Sequence, residues 1–273
     1  MFRKKNVSCL SKNENGMKKR ASIFMMMVLC VLFVAKAQQP QTTTAEQPQP
    51  ASDGAARLAA IISTPQSEWL GSFDKINISG AMQVSLIRIP EDEGPKIYFD
   101  TKGSTTTKFK VEVDKKGVLN VIETVDAKRT SITEVRIYYR NITSLTIAGA
   151  DVTMEQQFES KMFDLLVSGG ATLRAKVDVL DMDVTVTGRS SVVIDGSSRY
   201  LGLKVSTAKF DATALQTMST IADASHGAEV SLFVTERLEA STATSAKITY
   251  HGSPSLVRVR SSLFGGEIMA IGK

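Results

Sequence analysis

A repeat of about nineteen residues constrains this chain more than any other feature of its sequence. Leu145-Thr-Ile147-Ala-Gly149-Ala150-Asp-Val152 is echoed by Leu165-Leu-Val167-Ser-Gly169-Gly-Ala171-Thr-Leu173 and by Val184-Thr-Val186-Thr-Gly188-Arg-Ser190-Ser-Val192. Leu203-Lys-Val205-Ser-Thr207-Ala208-Lys-Phe210 is a fourth copy, and weaker ones run from Ile221 to Val230 and from Leu238 to Ile248. A leading apolar column falls at Leu145, Leu165, Val184, Leu203, Ile221 and Leu238, in steps of 20, 19, 19, 18 and 17. A second falls at Val152, Leu173, Val192, Phe210, Val230 and Ile248, in steps of 21, 19, 18, 20 and 18. Two residues before each member of the second column stands a small one: Ala150, Ala171, Ser190, Ala208, Ala228 or Ala246.

A unit of that length is too short for a helix-containing coil once its turns are counted, and no copy carries an apolar stripe of helical period. It suits two or three short strands joined by tight turns. Strands of successive coils would then pair in register, about 4.8 Å apart, and equivalent side chains would form ladders. Leucine, valine and isoleucine stack inward, and the small residues recur where the coil bends. The pattern predicts an all-β chain: a parallel β-helix or related β-solenoid of about six coils. An antiparallel meander of similar rhythm is the alternative.

The stretch before residue 145 reads as ordinary strands of period two. Ile76, Ile78, Val84, Leu86 and Ile89 predict one strand or a bulged pair. Phe109, Val111 and Val113 face Leu119 and Val121 across Asp114-Lys-Lys-Gly117, the clearest hairpin. Val135, Ile137 and Tyr139 alternate again. A hairpin-built lead-in over residues 69–140 could cap one end of the stack, whose edges otherwise invite pairing. At the far end, Pro254, Arg258 and Arg260 are expected to blunt the last strand.

The N-terminus reads as a secretory signal over residues 1–37: a basic patch at Lys18, Lys19 and Arg20, an apolar run from Ile23 to Val34, and Ala35-Lys36-Ala37 as cleavage site. Met17 is an alternative start. The run is about twelve residues, short of the roughly twenty that span a bilayer, so no transmembrane segment is expected after cleavage. Of the chain's 33 Lys/Arg and 28 Asp/Glu, the leader holds eight and one, which leaves 25 and 27 and a net charge of −2. The apparent basicity therefore gives no case for nucleic-acid binding. Both cysteines, Cys9 and Cys30, leave with the leader, so packing and backbone pairing must supply stability. Residues 38–66 form a spacer, rich in Gln, Pro and Thr as far as Asp53, that is expected to be disordered. A short helical turn is allowed over 55–63, before Pro65. The folded domain is assigned to residues 67–273.

Phe73-Asp-Lys-Ile76-Asn-Ile78-Ser79-Gly80-Ala81, the repeated Val-Ser-Gly copies, and Tyr250-His-Gly252-Ser-Pro254 followed by Gly265-Gly266 resemble the head-GIN domain of the auto-transporter adhesins. The resemblance covers residues 69–273. It implies an exported β-repeat protein of Gram-negative bacteria, an adhesin with no catalytic residues to carry over. Thr207 and Ser225-His226-Gly227 depart from the plain Ser-Gly pattern.

No catalytic or cofactor-binding motif stands out, and no catalytic, cofactor or metal residue is assigned. Asp178, Asp181 and Asp183 form the densest acidic cluster; they could ligate calcium, but their alternation with Met182 and Val184 fits a solvated strand face better. Asp195 and Asp211 share no repeat column, so nothing pairs them as glycosidase carboxylates. His226 and His251 read as turn residues. Trp69, Tyr98, Tyr138, Tyr139, Tyr200 and Tyr250 could stack on sugars. Trp69 is expected to anchor the start of the fold, and the pair Tyr138/Tyr139 must leave one ring outside the core. Asn77 and Asn141 match glycosylation acceptors. The expected function is an exported, non-catalytic cell-envelope or surface module that presents solenoid faces to a glycan or an envelope protein. A β-helix carbohydrate-active enzyme and a self-associating structural envelope protein are the alternatives.

Overall fold

The computed structural model describes residues 65–104, 108–124, 129 and 131–272, and every regular element in them is a strand. The expected leader, and the spacer up to residue 64, lie outside the described residues. From residue 144 the chain coils through three strand columns. The first begins with β8 (Ser144–Ala148) and continues through the later halves of β10 (Phe158–Ser168), β11 (Thr172–Thr187), β12 (Ser191–Ser206), β13 (Lys209–Ser225) and β14 (Glu229–Ala243), ending at β16 (Leu256–Leu263). The second runs from β9 (Asp151–Met154) through the first residues of β11 to β14, then to β15 (Lys247–His251) and β17 (Glu267–Ala270). Every pairing between these coils is parallel. The result is a parallel β-solenoid, and the meander is excluded.

The second apolar column is a physical ladder. Val152, Leu173, Val192, Phe210, Val230 and Ile248 face one another in unbroken register, and Ile268 adds a seventh rung. The six small residues line the adjoining corner, each buried. Each gives its carbonyl to an amide of the next coil, Thr172 to Ala150 through Glu267 to Ala246, at 2.8–3.0 Å. A larger side chain at this corner would meet its own copy one rung away, about 4.8 Å off. The turn just before each small residue uses left-handed backbone, at Gly149, Gly188, Arg189, Thr207, His226 and Ser245 among others.

The leading column holds for four coils and then differs. Leu145, Leu165, Val184 and Leu203 stand in register, but the next partners are Ala222, Ala240 and Val259. Ile221 points outward at 45% exposure, and Leu238 faces Thr220. Register shifts between β12 and β13, and between β13 and β14, move the pleat there. Counting favours the larger apolar residue, whereas the narrow coil takes alanine. The solenoid comprises about seven turns against the six expected, and β16 and β17 form its last rung among the described residues.

The lead-in region is only partly hairpin-built. The antiparallel hairpin β5 (Lys108–Val113) with β6 (Val118–Thr124) forms as expected. However, β2 (Lys75–Ser79) and β3 (Met82–Arg88), bent at Gly80, are rungs of the parallel stack. They lie between β6 and β7 (Thr133–Tyr139) on one side and β8 and β9 on the other, out of sequence order. Period-two alternation reports which face is buried but not which neighbour a strand takes, so this insertion leaves no trace in the pattern. Beyond β7 the stack is closed by antiparallel strands: β4 (Lys96–Asp100) on β7, and β1 (Gln66–Trp69) on β4.

Behind this cap lies a buried charged cluster. Glu123 and Arg129 pair with side chains 0% and 2% exposed, Thr133 bonds both, and Arg129 also donates to the carbonyl of Thr101 at 3.1 Å. At the opposite end, β16 and β17 have a partner strand on one side only among the described residues. Leu256, Val257, Val259, Leu263, Phe264 and Met269 are 41–82% exposed there. Pro254 precedes β16, and Arg258 and Arg260 reach Glu239 and Asp223.

Candidate functional site

The third column of the solenoid carries a broad groove. It comprises the starts of β10, the middles of β11, β12 and β13, and part of β14. Where this face meets the first, the pleat breaks and side chains on both sides of the corner reach solvent. Ser160, Val179, Ser198 and Thr217 stand in register, as do Met162, Asp181, Tyr200 and Ser219. Between them run Lys161, Leu180, Arg199 and Met218, so that cation and apolar side chain alternate rung by rung. Ser160, Lys161, Met162, Leu180, Arg199 and Met218, with Asn141, Glu159, Asp178 and Gln216, line a groove of about 950 Å³.

The chemistry of the groove is mixed. Met162, Leu180 and Met218 are 66%, 41% and 37% exposed and give the groove an apolar strip. Asp178 accepts a hydrogen bond from the Ser197 hydroxyl at 2.7 Å, and Glu159 pairs with Arg88 at 3.5 Å. Lys161 and Arg199 have no ion-pair partner among the described residues. The backbone beneath is held by the ladder itself. Gly196 is a position where that ladder admits no side chain: its φ is +113°, and a Cβ there would sit 1.9 Å from the carbonyl oxygen of Val177.

Other residues singled out in the sequence fall as follows. Asp178 and Asp183 are exposed and Asp181 is half-buried along β11, and no three His, Cys, Asp or Glu gather as a metal site among the described residues. Asp211 faces Val193, not Asp195. His226 sits in a left-handed turn with φ of 54°, its Nδ1 within 3.0 Å of the Ser225 hydroxyl and 3.2 Å of the Ser206 hydroxyl. His251 closes β15 at a different corner, opposite Phe233. Asn77 donates to the Asn120 side chain at 3.0 Å inside a parallel ladder, while Asn141 is exposed in the turn before β8.

Tyr139 is the ring that enters the core, and burial pushes its hydroxyl up to about 12 against a smaller opposing pull from Arg88. Tyr138 points out. Trp69, expected to anchor the fold, is instead 72% exposed. Lys96 Nζ lies 5.6 Å from the Trp69 ring, 5.7 Å from Tyr98 and 5.0 Å from Tyr138. Tyr98 and Tyr138 meet edge to face at 5.5 Å. This cluster escaped the sequence because its members come from three separate strands. Beside it, the backbone amide of Lys102 hydrogen-bonds Asp100 and holds its carboxyl below the usual range, against a smaller cost of burial.

A family model described as "Putative auto-transporter adhesin, head GIN domain" matches residues 72–254. The chain belongs to that family. The match to the head GIN domain ends before β16, so the last turn extends beyond it, whereas the resemblance seen in the sequence reached residue 273. Solved structures share the fold. A "putative adhesin" from Bacteroides fragilis aligns with TM-score 0.66 at 16% identity, over 76% of this chain and 96% of that one. One from Parabacteroides merdae aligns with TM-score 0.58 at 12% identity, over 76% and 95%. A "putative lipid binding protein" from Parabacteroides distasonis gives TM-score 0.57 at 13% identity, over 76% and 96%. No curated protein matches the chain. No helix among the described residues is long and apolar enough to cross a membrane.

Proposed function

We propose that this head GIN protein is an exported, non-catalytic binding module of the cell envelope or surface, holding a glycan or protein ligand on its solenoid faces. The groove across β10 to β13 carries the reading. It offers an apolar strip of Met162, Leu180 and Met218 with two cations, Lys161 and Arg199, on a backbone fixed by coil-to-coil hydrogen bonds. A rigid surface orders little on binding, which favours affinity. Alternating charge and apolar contacts, two rungs or about 10 Å per repeat, suit an extended ligand lying along the stack. The leader and spacer expected over residues 1–66 would deliver such a module and hold it off the membrane.

The test is a glycan array and an envelope pulldown with purified protein, repeated with Lys161→Glu/Arg199→Glu. A ligand whose binding falls tenfold or more in the double variant supports the groove. Blank screens at micromolar protein, or ligands indifferent to the double variant, count against it. A second reading, self-association through the solenoid end, is favoured by one observation, the exposed apolar side chains of β16 and β17. Sedimentation showing a monomer at high concentration removes it.

A further inference from the structure

Strands β1, β4 and β7 form an antiparallel face whose outward side chains fall in cross-strand rows. Trp69, Lys96 and Tyr138 make one row, and Ser67, Tyr98 and Arg136 the next. Asp100 and Glu134 make a third, beside Pro65. At about 3.4 Å per residue the three rows span about 14 Å, the length of a short oligosaccharide. The face is graded, with aromatic rings at one end and charge at the other. It encloses a cavity of about 260 Å³ over Tyr98, Arg136 and Tyr138. A second cavity of about 280 Å³ adjoins it across Arg136, lined by the polar side chains of Gln83, Ser85, Asp151 and Thr153.

Two features point to a ligand. Trp69 leaves 72% of its surface in water on a short edge strand, where no core needs it. An indole kept exposed beside two tyrosines is a stacking surface with few torsions to freeze. The cations are arranged asymmetrically. Lys102 bridges Asp100 and Glu134 at 3.1 Å to each, one cation shared by two carboxylates. Arg136, by contrast, has no ion-pair partner among the described residues, and Lys96 rests only over rings. A planar guanidinium in that position is matched by a carboxylate taken bidentately.

We propose that this face binds an acidic saccharide, a chain of pyranose rings bearing carboxylates. Trp69 and Tyr98 stack on ring faces, Arg136 takes a carboxylate, and the hydroxyl and amide groups of Ser85 and Gln83 receive sugar hydroxyls. The proposal shares with the preceding section the premise that the protein is a binding module, but it uses a site separate from the groove. Trp69 is the chain's one tryptophan, so its emission reports this face and nothing else.

The experiment titrates purified protein with a galacturonate tetrasaccharide and, in parallel, a neutral glucose tetrasaccharide, reading Trp69 emission and calorimetric heat. The expected result is a saturable emission change with the uronate, at least tenfold weaker binding of the neutral chain, and weakening as salt rises. Trp69→Ala and Arg136→Gln, both on exposed side chains, should each weaken calorimetric binding at least tenfold with an unchanged circular dichroism spectrum. Lys161→Glu/Arg199→Glu should leave it unaltered. Equal affinity for both sugars, or no binding of either, overturns the proposal. Binding without an emission change that is lost in the groove double variant overturns it too, while leaving the binding-module reading intact.

Discussion

The two ends of the solenoid solve one problem differently. At the N-terminal end the stack reaches β6 and β7 and is then closed by antiparallel strands, β5 on one face and β4 with β1 on another. At the C-terminal end β16 and β17 are simply the last rung described, and their apolar side chains stay in solvent. A parallel coil cannot cap itself, because its final strand carries the same unpaired backbone groups as every strand before it. Reversal of chain direction breaks the in-register series, although β1 and β5 themselves pair on one side only among the described residues. The difference teaches where stability and function should sit. The capped end should be the more rigid and carries an exposed aromatic face, whereas the open end is where the stack should loosen first.

Breaking the capped end should have the largest effect. Arg129→Ala removes the guanidinium from buried Glu123 while Thr133 stays bonded to it, and breaking a buried ion pair costs about 3–5 kcal/mol; urea unfolding should show it as a lowered midpoint. The comparison is sharpened by truncating one apolar residue at each end. Leu119→Ala, on a side chain 0% exposed, is expected to cost about 2–5 kcal/mol, and Val259→Ala, 52% exposed, less than about 1 kcal/mol. Similar losses at both positions would mean that the open end is covered in solution.

The smallest effect concerns acid. Asp100 at the cap is held below its ordinary value by the Lys102 amide, and Glu239 near the open end by its hydrogen bond from Arg237. A depressed carboxyl stabilises the fold above its unfolded pKa of about 4, and that contribution is lost as pH falls through the lower folded value. Asp100→Asn and Glu239→Gln should therefore each flatten the fall in urea midpoint below pH 4 and leave the slope between pH 6 and 8 unchanged.

Much of this architecture was legible in the chain. The column from Val152 to Ile248 and the small residues before it lie where their spacing put them, because in-register stacking forces equivalent positions to recur. The β5–β6 hairpin followed from alternation about Asp114 to Gly117. What could not be read was partner choice. The residues of β2 and β3 alternate alike whether they join a hairpin or slip between two coils. Ile221 and Leu238 misled because bulges change the pleat without changing the composition. The candidate sites were less legible still. Lys161, Leu180, Arg199 and Met218 become neighbours only once coils stack. Trp69, Lys96, Tyr98 and Tyr138 meet only because β4 and β1 reverse direction onto β7.

Hydrogen exchange followed by mass spectrometry on the purified protein tests the asymmetry of the ends most directly. Amides of β16 and β17 should exchange first, protection should rise inward to β10–β13, and it should stay high through β6 and β7 beneath their antiparallel cap. Equal protection of the two ends, or earlier exchange of β6 and β7, would contradict a solenoid closed at one end and open at the other.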